Sequence, residues 1–160
     1  MISVLGWLLG LLAIIVLVPV LVLVLQVLLA CLPARARPNG IGERPRVAVL
    51  VPAHDEALII RAMLASVTPQ LLDGDRLLVV ADNCSDDTAQ LAREAGAEVV
   101  ERHDTRLRGK GYALDFGVRH LAQRPPEVVI VVDADCQVGE GAIDCLARRC
   151  HALARPVQSL

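Results

Sequence analysis

The first 34 residues carry no Asp, Glu, Lys, Arg or His, so every charged side chain of the 160-residue chain lies in the remainder. From Ile2 to Leu32 the chain is almost continuously Leu, Val, Ile and Ala. A helix of about 20 apolar residues crosses a bilayer core, so this run is long enough to span with some tilt. Pro19 and Gln26 interrupt it. A membrane helix tolerates a proline, which kinks its axis. Trp7 falls near one end, where an indole suits the headgroup region, and Gln26 lies toward the other, within reach of the interface. The expected architecture is one transmembrane anchor, residues 1–32, joined to a soluble domain of modest size.

Composition agrees. The chain is 54% hydrophobic and 21% charged, with a formal net charge of -2. The first figure excludes disorder and the second a chain living wholly in lipid. The third removes any global basic field, so nucleic acid is not an expected partner. Length allows roughly one domain.

Arg35, Arg37, Arg44 and Arg46 follow the apolar run, and nothing basic precedes it except the amino terminus. The positive-inside rule then places the C-terminal flank in the cytoplasm. Leu28-Leu29-Ala30-Cys31 has the form of a lipoprotein cleavage site. However, no basic region precedes the run, which exceeds the roughly 7–15 apolar residues of a signal peptide. A retained anchor is therefore expected. Pro33 to Pro45 holds three prolines, two glycines and three arginines, which predicts a linker over 33–46.

The remainder alternates strand and helix. Val47–Val51, Leu77–Ala81, Glu98–Glu101 and Val128–Val132 read as strands, the last apolar throughout and so expected at the centre of a parallel sheet. Helices are predicted after each. One has a stripe at Ile60, Met63, Leu64 and Val67, with Asp55 and Glu56 in its first turn. One is capped by Ser85 or Asp86 and ends at Gly96. One spans Tyr112–Ala122 with Leu114, Val118 and Leu121 on one face, and one spans Gly141–Leu153. Val157–Leu160 has the composition to open a fifth strand. No internal repeat is visible. The predicted fold is α/β, a Rossmann-like, mostly parallel sheet with flanking helices, preceded by the transmembrane helix.

In such sheets ligands bind beyond the carboxyl ends of the strands. Three acidic clusters occupy such ends: Pro52-Ala53-His54-Asp55-Glu56, then Asp82 to Thr88, then Asp133-Ala134-Asp135. If their strands are neighbours, the clusters converge. Asp133 and Asp135 are spaced to point to one side. Behind five apolar residues, two such carboxylates need a cation, and a hard divalent ion, Mg²⁺ or Mn²⁺, also holds diphosphate oxygens. The plain alternative is a pair of turn caps. Asp82 can accept hydrogen bonds from a base or sugar, whereas Ser85, Asp86 and Asp87 read as helix caps and Asp55 can do either. In Arg106-Leu107-Arg108-Gly109-Lys110-Gly111 the glycines allow close backbone approach, and Lys110 can meet a phosphate or sit in a solvated loop. The spacing is neither a P-loop nor a dinucleotide fingerprint. The five cysteines form no zinc framework, and cytoplasmic thiols are expected to be reduced.

Taken in order, VAVLVPAHDE, LLVVADNCSDDTA, RGKGYALDFG and VVIVVDADC resemble the N-terminal half of glycosyltransferase family 2 enzymes with the GT-A fold, in the style of bacterial membrane-bound transferases of polysaccharide synthesis. The resemblance covers about Val47 to Leu160. It implies a nucleotide-sugar donor, usually UDP-linked, a divalent metal, a glycan or lipid-linked acceptor, and an inner-membrane, single-pass protein with its soluble part cytoplasmic. It implies that Pro52, Ala53, His54, Asp55 and Glu56 line the nucleotide pocket, that Asp82 contacts the base and that Lys110 lies near the donor. It makes Asp133 and Asp135 the Asp-x-Asp motif, with Asp135 the direct metal ligand. Family members continue beyond this length with an acceptor site, an acidic base and, in the membrane branch, a Gln-x-x-Arg-Trp motif. The only tryptophan here is Trp7. The expectation is a donor-binding part, 47–160, whose catalytic base lies beyond Leu160. Two other readings stay open: a non-catalytic nucleotide-sugar-binding remnant, and a phosphatase using Asp133 as nucleophile, as in haloacid dehalogenases. The latter fold places its Asp-x-Asp after the first strand, not the fourth.

Overall fold

Apolar runs that cannot be left in water become strands when both their faces can be covered, and here two of the four strands, Val47–Ala53 and Arg76–Asp82, are buried on both. The computed structural model describes residues 3–30 and 43–158, in two compact units divided after Arg37. In the first unit, α1 (Val4–Ala30) contains Pro19. Its stretch Gly6–Leu29 has 24 residues and mean hydropathy 3.3. At about 1.5 Å rise per residue it is roughly 36 Å long, sufficient to cross a hydrocarbon core of about 30 Å.

Residues 31–42, with Cys31, Arg35, Arg37 and most of the predicted linker, lie outside the described residues. The end of that predicted linker belongs to the domain instead. Arg44 pairs with Asp75 at 2.7 Å, their side chains 8% and 1% exposed. Asp75 also accepts the Val47 N–H at 2.8 Å, so this buried ion pair fixes the entry to the first strand.

The second unit holds β1 (Val47–Ala53), α2 (Ile60–Val67), β2 (Arg76–Asp82), α3 (Thr88–Glu94), β3 (Glu98–Arg102), α4 (Lys110–Leu121), β4 (Val128–Val131) and α5 (Ala142–Leu153). The strands pair in parallel in the order β3-β2-β1-β4. Val47, Val49 and Val51 face α2, α3 and α5 through Ile60, Met63, Leu64, Ala92, Ile143 and Ala147. Ala48, Leu50, Leu78 and Val80 face α4 through Ala113 and Leu121.

Several expectations need correction. Asp55 and Glu56 are not in the first turn of α2, which begins at Ile60; the Glu56 carbonyl accepts the Ile60 N–H ahead of it. Among the described residues β4 is an edge strand, not a central one. Its Val128 and Ile130 are buried, but Val129 and Val131 are 40% and 48% exposed. The buried residues of α4 are Ala113, Gly117 and Leu121; Leu114 packs partly buried against the same cluster, but Val118 is exposed. The reason is close approach. A Cβ added at Gly117 would lie 2.5 Å from Leu50 Cδ1, so the helix rests on its small residues. Residues 156–158 form no strand, and 159–160 lie outside the described residues.

The chain runs outward from β1 through β2 to β3, then crosses through α4 to the far side of β1. The strand order therefore reverses between β1 and β4, and a crevice opens there beyond the carboxyl ends.

Candidate functional site

That crevice is a cleft of about 480 Å³. The β1 end contributes Pro52, Ala53, His54 and Glu56, and the β2 end contributes Asp82 and Asn83. Arg108, Gly109, Lys110 and Ala113 come from the loop before α4 and its first turn, and Asp133, Ala134 and Asp135 from beyond β4. The three acidic strand ends do converge, because β2, β1 and β4 are neighbours.

Asp133 and Asp135 sit on a short turn, and their carboxylates lie with the Cys136 thiol inside a span of 4.8 Å. They are more open than five preceding apolar residues predicted: the Asp133 side chain is 46% exposed. The reason is that β4 is an edge strand. Lys110 reaches across from α4 and its ammonium bonds Asp133. Two neighbouring carboxylates, one of which draws in the cleft's lysine, form a donor set suited to a hard cation, since oxygen ligands are what Mg²⁺ and Mn²⁺ take.

The loops after β1 and β2 are built against each other. Asp55 and Asn83 both hold left-handed backbone, at φ 54° and 53°, a conformation that short polar side chains tolerate better than most. The Asp55 carboxylate turns away from the cleft to accept the Ser85 N–H at 2.6 Å and its hydroxyl. Asp55 is therefore not among the lining residues; the Ser85 N–H bond holds its carboxyl below the usual range. Ser85 spends its hydroxyl on Asp55 and does not cap α3. Asp86 accepts from the Thr88 hydroxyl, from the Thr88 N–H at 3.0 Å and from the Ala57 N–H at 3.0 Å. The Thr88 hydroxyl is the main cause of its lowered pKa. Asp86 thus stitches the start of α3 to the β1 loop. Asp87, at the cap position, makes no side-chain cap bond.

His54 shares a hydrogen between Nδ1 and the Asp82 carbonyl at 2.7 Å. A carbonyl only accepts, so Nδ1 carries the proton and Nε2 is left as the acceptor when the ring is neutral. Asp82 is buried, 6% exposed. Its Oδ1 accepts from Arg102 Nη1 at 2.7 Å and from Asn83 Nδ2 at 3.0 Å. Arg102, Asn83, Arg108, Gly109 and Ala113 were not singled out from the sequence as individual site residues. The basic Gly-containing run hinted at Arg108 and Gly109. Nothing local marks Arg102, whose role follows from β3 lying beside β2.

Gly109, at φ 115°, turns the chain into α4 so that its first turn faces the cleft. The Asp104 carboxylate accepts the Leu107 and Arg106 N–H groups at 2.9 Å each, which lower its pKa and shape the loop. Burial raises the Cys84 thiol's pKa. The four described cysteines, Cys84, Cys136, Cys145 and Cys150, are free.

Comparison with known proteins fits this geometry. A family described as Glycosyl transferase family 2 matches residues 48–152. The chain is 35% identical over 105 residues to "Probable glycosyltransferase YdaM" of Bacillus subtilis, covering 61% of this chain and 24% of that protein. It is 38% identical over 96 residues to glucosyl-3-phosphoglycerate synthase of Mycolicibacterium paratuberculosis, covering 56% and 28%. The chain thus spans about a quarter of the length of these curated relatives. A mannosyltransferase of Pyrobaculum calidifontis, solved with GDP-Man and Mn²⁺, shares the fold at TM-score 0.58 and 24% identity, over 72% of this chain and 36% of that one. Membership also sets aside the haloacid-dehalogenase alternative. With the family matched across both the strand-end loops and the Asp-x-Asp turn, the chain belongs to glycosyl transferase family 2.

Proposed function

We propose that this chain forms the donor-binding part of a membrane-anchored, inverting glycosyltransferase that takes a nucleoside-diphosphate sugar, UDP-linked, for transfer to a glycan or lipid-linked acceptor. One observation carries the reading: a single cleft brings Asp133 and Asp135 together with Lys110 and the polar loops of β1 and β2. Asp135, with Asp133, would hold Mn²⁺ or Mg²⁺, which when bound neutralises charge on the diphosphate. Lys110 and the first turn of α4 offer cation and N–H groups to the same phosphates. Asp82 offers an acceptor to the base, and Pro52, Ala53, His54 and Glu56 of the β1 loop wall the nucleoside. The acceptor oxygen attacks the anomeric carbon, the bond to the diphosphate breaks, and the hydroxyl proton passes to a base that this cleft does not identify.

The anchor reading rests on the length and apolarity of α1 and on the arginines that follow it. It places the domain in the cytoplasm at the inner membrane.

Calorimetry on the full chain in detergent tests the donor site. UDP should bind more tightly with Mn²⁺ than with chelator, and Asp135→Asn should remove most of that difference, because an amide lacks the charge a cation needs. Equal UDP affinity with and without metal in the parent chain overturns the metal role.

A further inference from the structure

Arg102 is the last residue of β3, and its side chain is only 10% exposed. It is not among the residues lining the cleft, yet it touches three pieces that build it. Nη1 donates to Asp82 Oδ1 at 2.7 Å. Nη2 donates to the Leu107 carbonyl at 2.7 Å and to Asp104 Oδ2 at 3.3 Å. The guanidinium carbon lies 5.6 Å from the centre of the Tyr112 ring, in the first turn of α4. One planar fork therefore ties the end of β2, the loop that carries Arg108 and Gly109, and the helix that carries Lys110. A lysine cannot reproduce such a fork.

The arrangement has a consequence for Asp82. Its Oδ1 is filled by Arg102 and by Asn83 Nδ2. The Asn83 amide cannot flip, because its Oδ1 accepts the Asp104 N–H at 2.8 Å. Oδ2 has no hydrogen-bond partner among the described residues. No buried side-chain oxygen is left unpaired among them, and Asp82 lines the cleft, so Oδ2 is the atom that meets the cleft. Ion-paired, Asp82 presents an acceptor and no donor.

We propose that Arg102 is a positioning residue of the donor site. It holds Asp82 so that one carboxylate oxygen faces the cleft and selects a nucleobase whose ring edge carries an N–H. The proposal rests on the donor-site reading above and deepens it. Uracil presents N3–H and guanine N1–H to such an oxygen. Cytosine N3 and adenine N1 are lone pairs and would oppose it. A site built around a hydrogen bond rejects ligands that leave its buried polar atom unpaired far better than an apolar wall rejects a misfit.

The test is calorimetry on the full chain in detergent with Mn²⁺, using UDP, GDP, CDP and pyrophosphate as probes, on the parent, Arg102→Gln, Arg102→Lys, Asp82→Asn and the Arg102→Gln/Asp82→Asn double variant. Folding is checked by circular dichroism. The parent should prefer UDP or GDP to CDP. Arg102→Gln should weaken the preferred nucleotide by about tenfold or more, the size of a lost bond to a charged group. CDP and pyrophosphate affinities should stay within about threefold of the parent's. Because Arg102 acts through Asp82, the double variant should be little worse than Asp82→Asn alone, which is the signature of coupled residues. Arg102→Lys, which keeps the charge and loses the fork, should show the same selective loss at smaller size. It carries the test if Arg102→Gln does not fold.

Equal losses for all three nucleotides and pyrophosphate in the Arg102 variants, or no loss for the preferred nucleotide, overturn the proposal and leave the donor site standing. A parent with no preference over CDP overturns the base selection in the same way. A parent that binds no nucleoside diphosphate overturns the donor-site reading itself.

Discussion

Replacing Gly117 by alanine tests how closely α4 lies on the sheet. The new Cβ would meet Leu50 Cδ1 at 2.5 Å, Val80 Cγ2 at 2.9 Å and Leu50 Cδ2 at 3.3 Å. Leu50 and Val80 are fully buried in the central strands, and Val80 is β-branched and stiff at χ1. Overpacking of this kind costs about 1–3 kcal/mol. Two fully buried side chains are struck, which points to the upper half of that range. Against this stands the gain of about 1 kcal/mol for alanine over glycine inside a helix. The net expectation is a loss of about 1–2 kcal/mol. With an m-value of about 1–3 kcal/mol/M, the urea midpoint of the domain should fall by roughly 0.5–1 M. The transition can be followed by far-ultraviolet circular dichroism on the chain in detergent. Gly111→Ala is the control: nothing lies within 4 Å of a Cβ there, so the helix gain should appear alone, as an unchanged or slightly raised midpoint. If Gly117→Ala shifts the midpoint no further down than Gly111→Ala, α4 does not rest on Leu50 and the described packing is wrong.

Lys110→Met should separate metal binding from donor binding. The lysine and Asp133 are both about half exposed, and such pairs are worth about 0–1 kcal/mol. Removing the competing ammonium should leave Mn²⁺ affinity unchanged or raise it by up to about fivefold, while UDP with Mn²⁺ should weaken by about tenfold or more. Titration of Mn²⁺ alone, followed by electron paramagnetic resonance, decides, and weaker metal binding would refute the pairing. Glu98 should make stability fall with acid. Burial raises its pKa, but hydrogen bonds from His120 and Arg76 and the charge of Arg76 outweigh this and leave it lowered. A lowered carboxylate stabilises fully above its unfolded value of about 4.3 and loses that contribution as pH falls through its folded value. Glu98→Gln should therefore lower the urea midpoint at pH 7 and leave it little changed from the parent's at about pH 3; parallel curves for the two proteins would refute the linkage. A reporter fused after Leu160 should be active only if it is of the cytoplasmic kind, and periplasmic activity would reverse the proposed orientation.

Much of this protein is written in local pattern. The charge-free start, the three apolar runs, the Val99-Val100 pair and the helical stripe at Ile60, Met63, Leu64 and Val67 are properties of neighbouring residues, and each predicted its element. The Asp-x-Asp after the last run is equally local, because side-chain direction in extended chain depends only on spacing. So is the presence of an acidic group at three strand ends.

What the tertiary structure alone decided is which of those ends meet and with whom. The order β3-β2-β1-β4 sets β1 between the two other acidic ends and, among the described residues, leaves β4 at the edge. The apolar stripe of α4 does not show that Ala113 and Gly117 are buried while Val118 is exposed, because a helix pressed onto a sheet buries the residues small enough to let it approach. Arg102 and Asp82 stand 20 positions apart, and Lys110 and Asp133 stand 23 apart. Periodicity carries no trace of such pairs. They form because parallel strands brought side by side align their carboxyl ends, and a charged group there takes whichever partner the strand order has placed within reach.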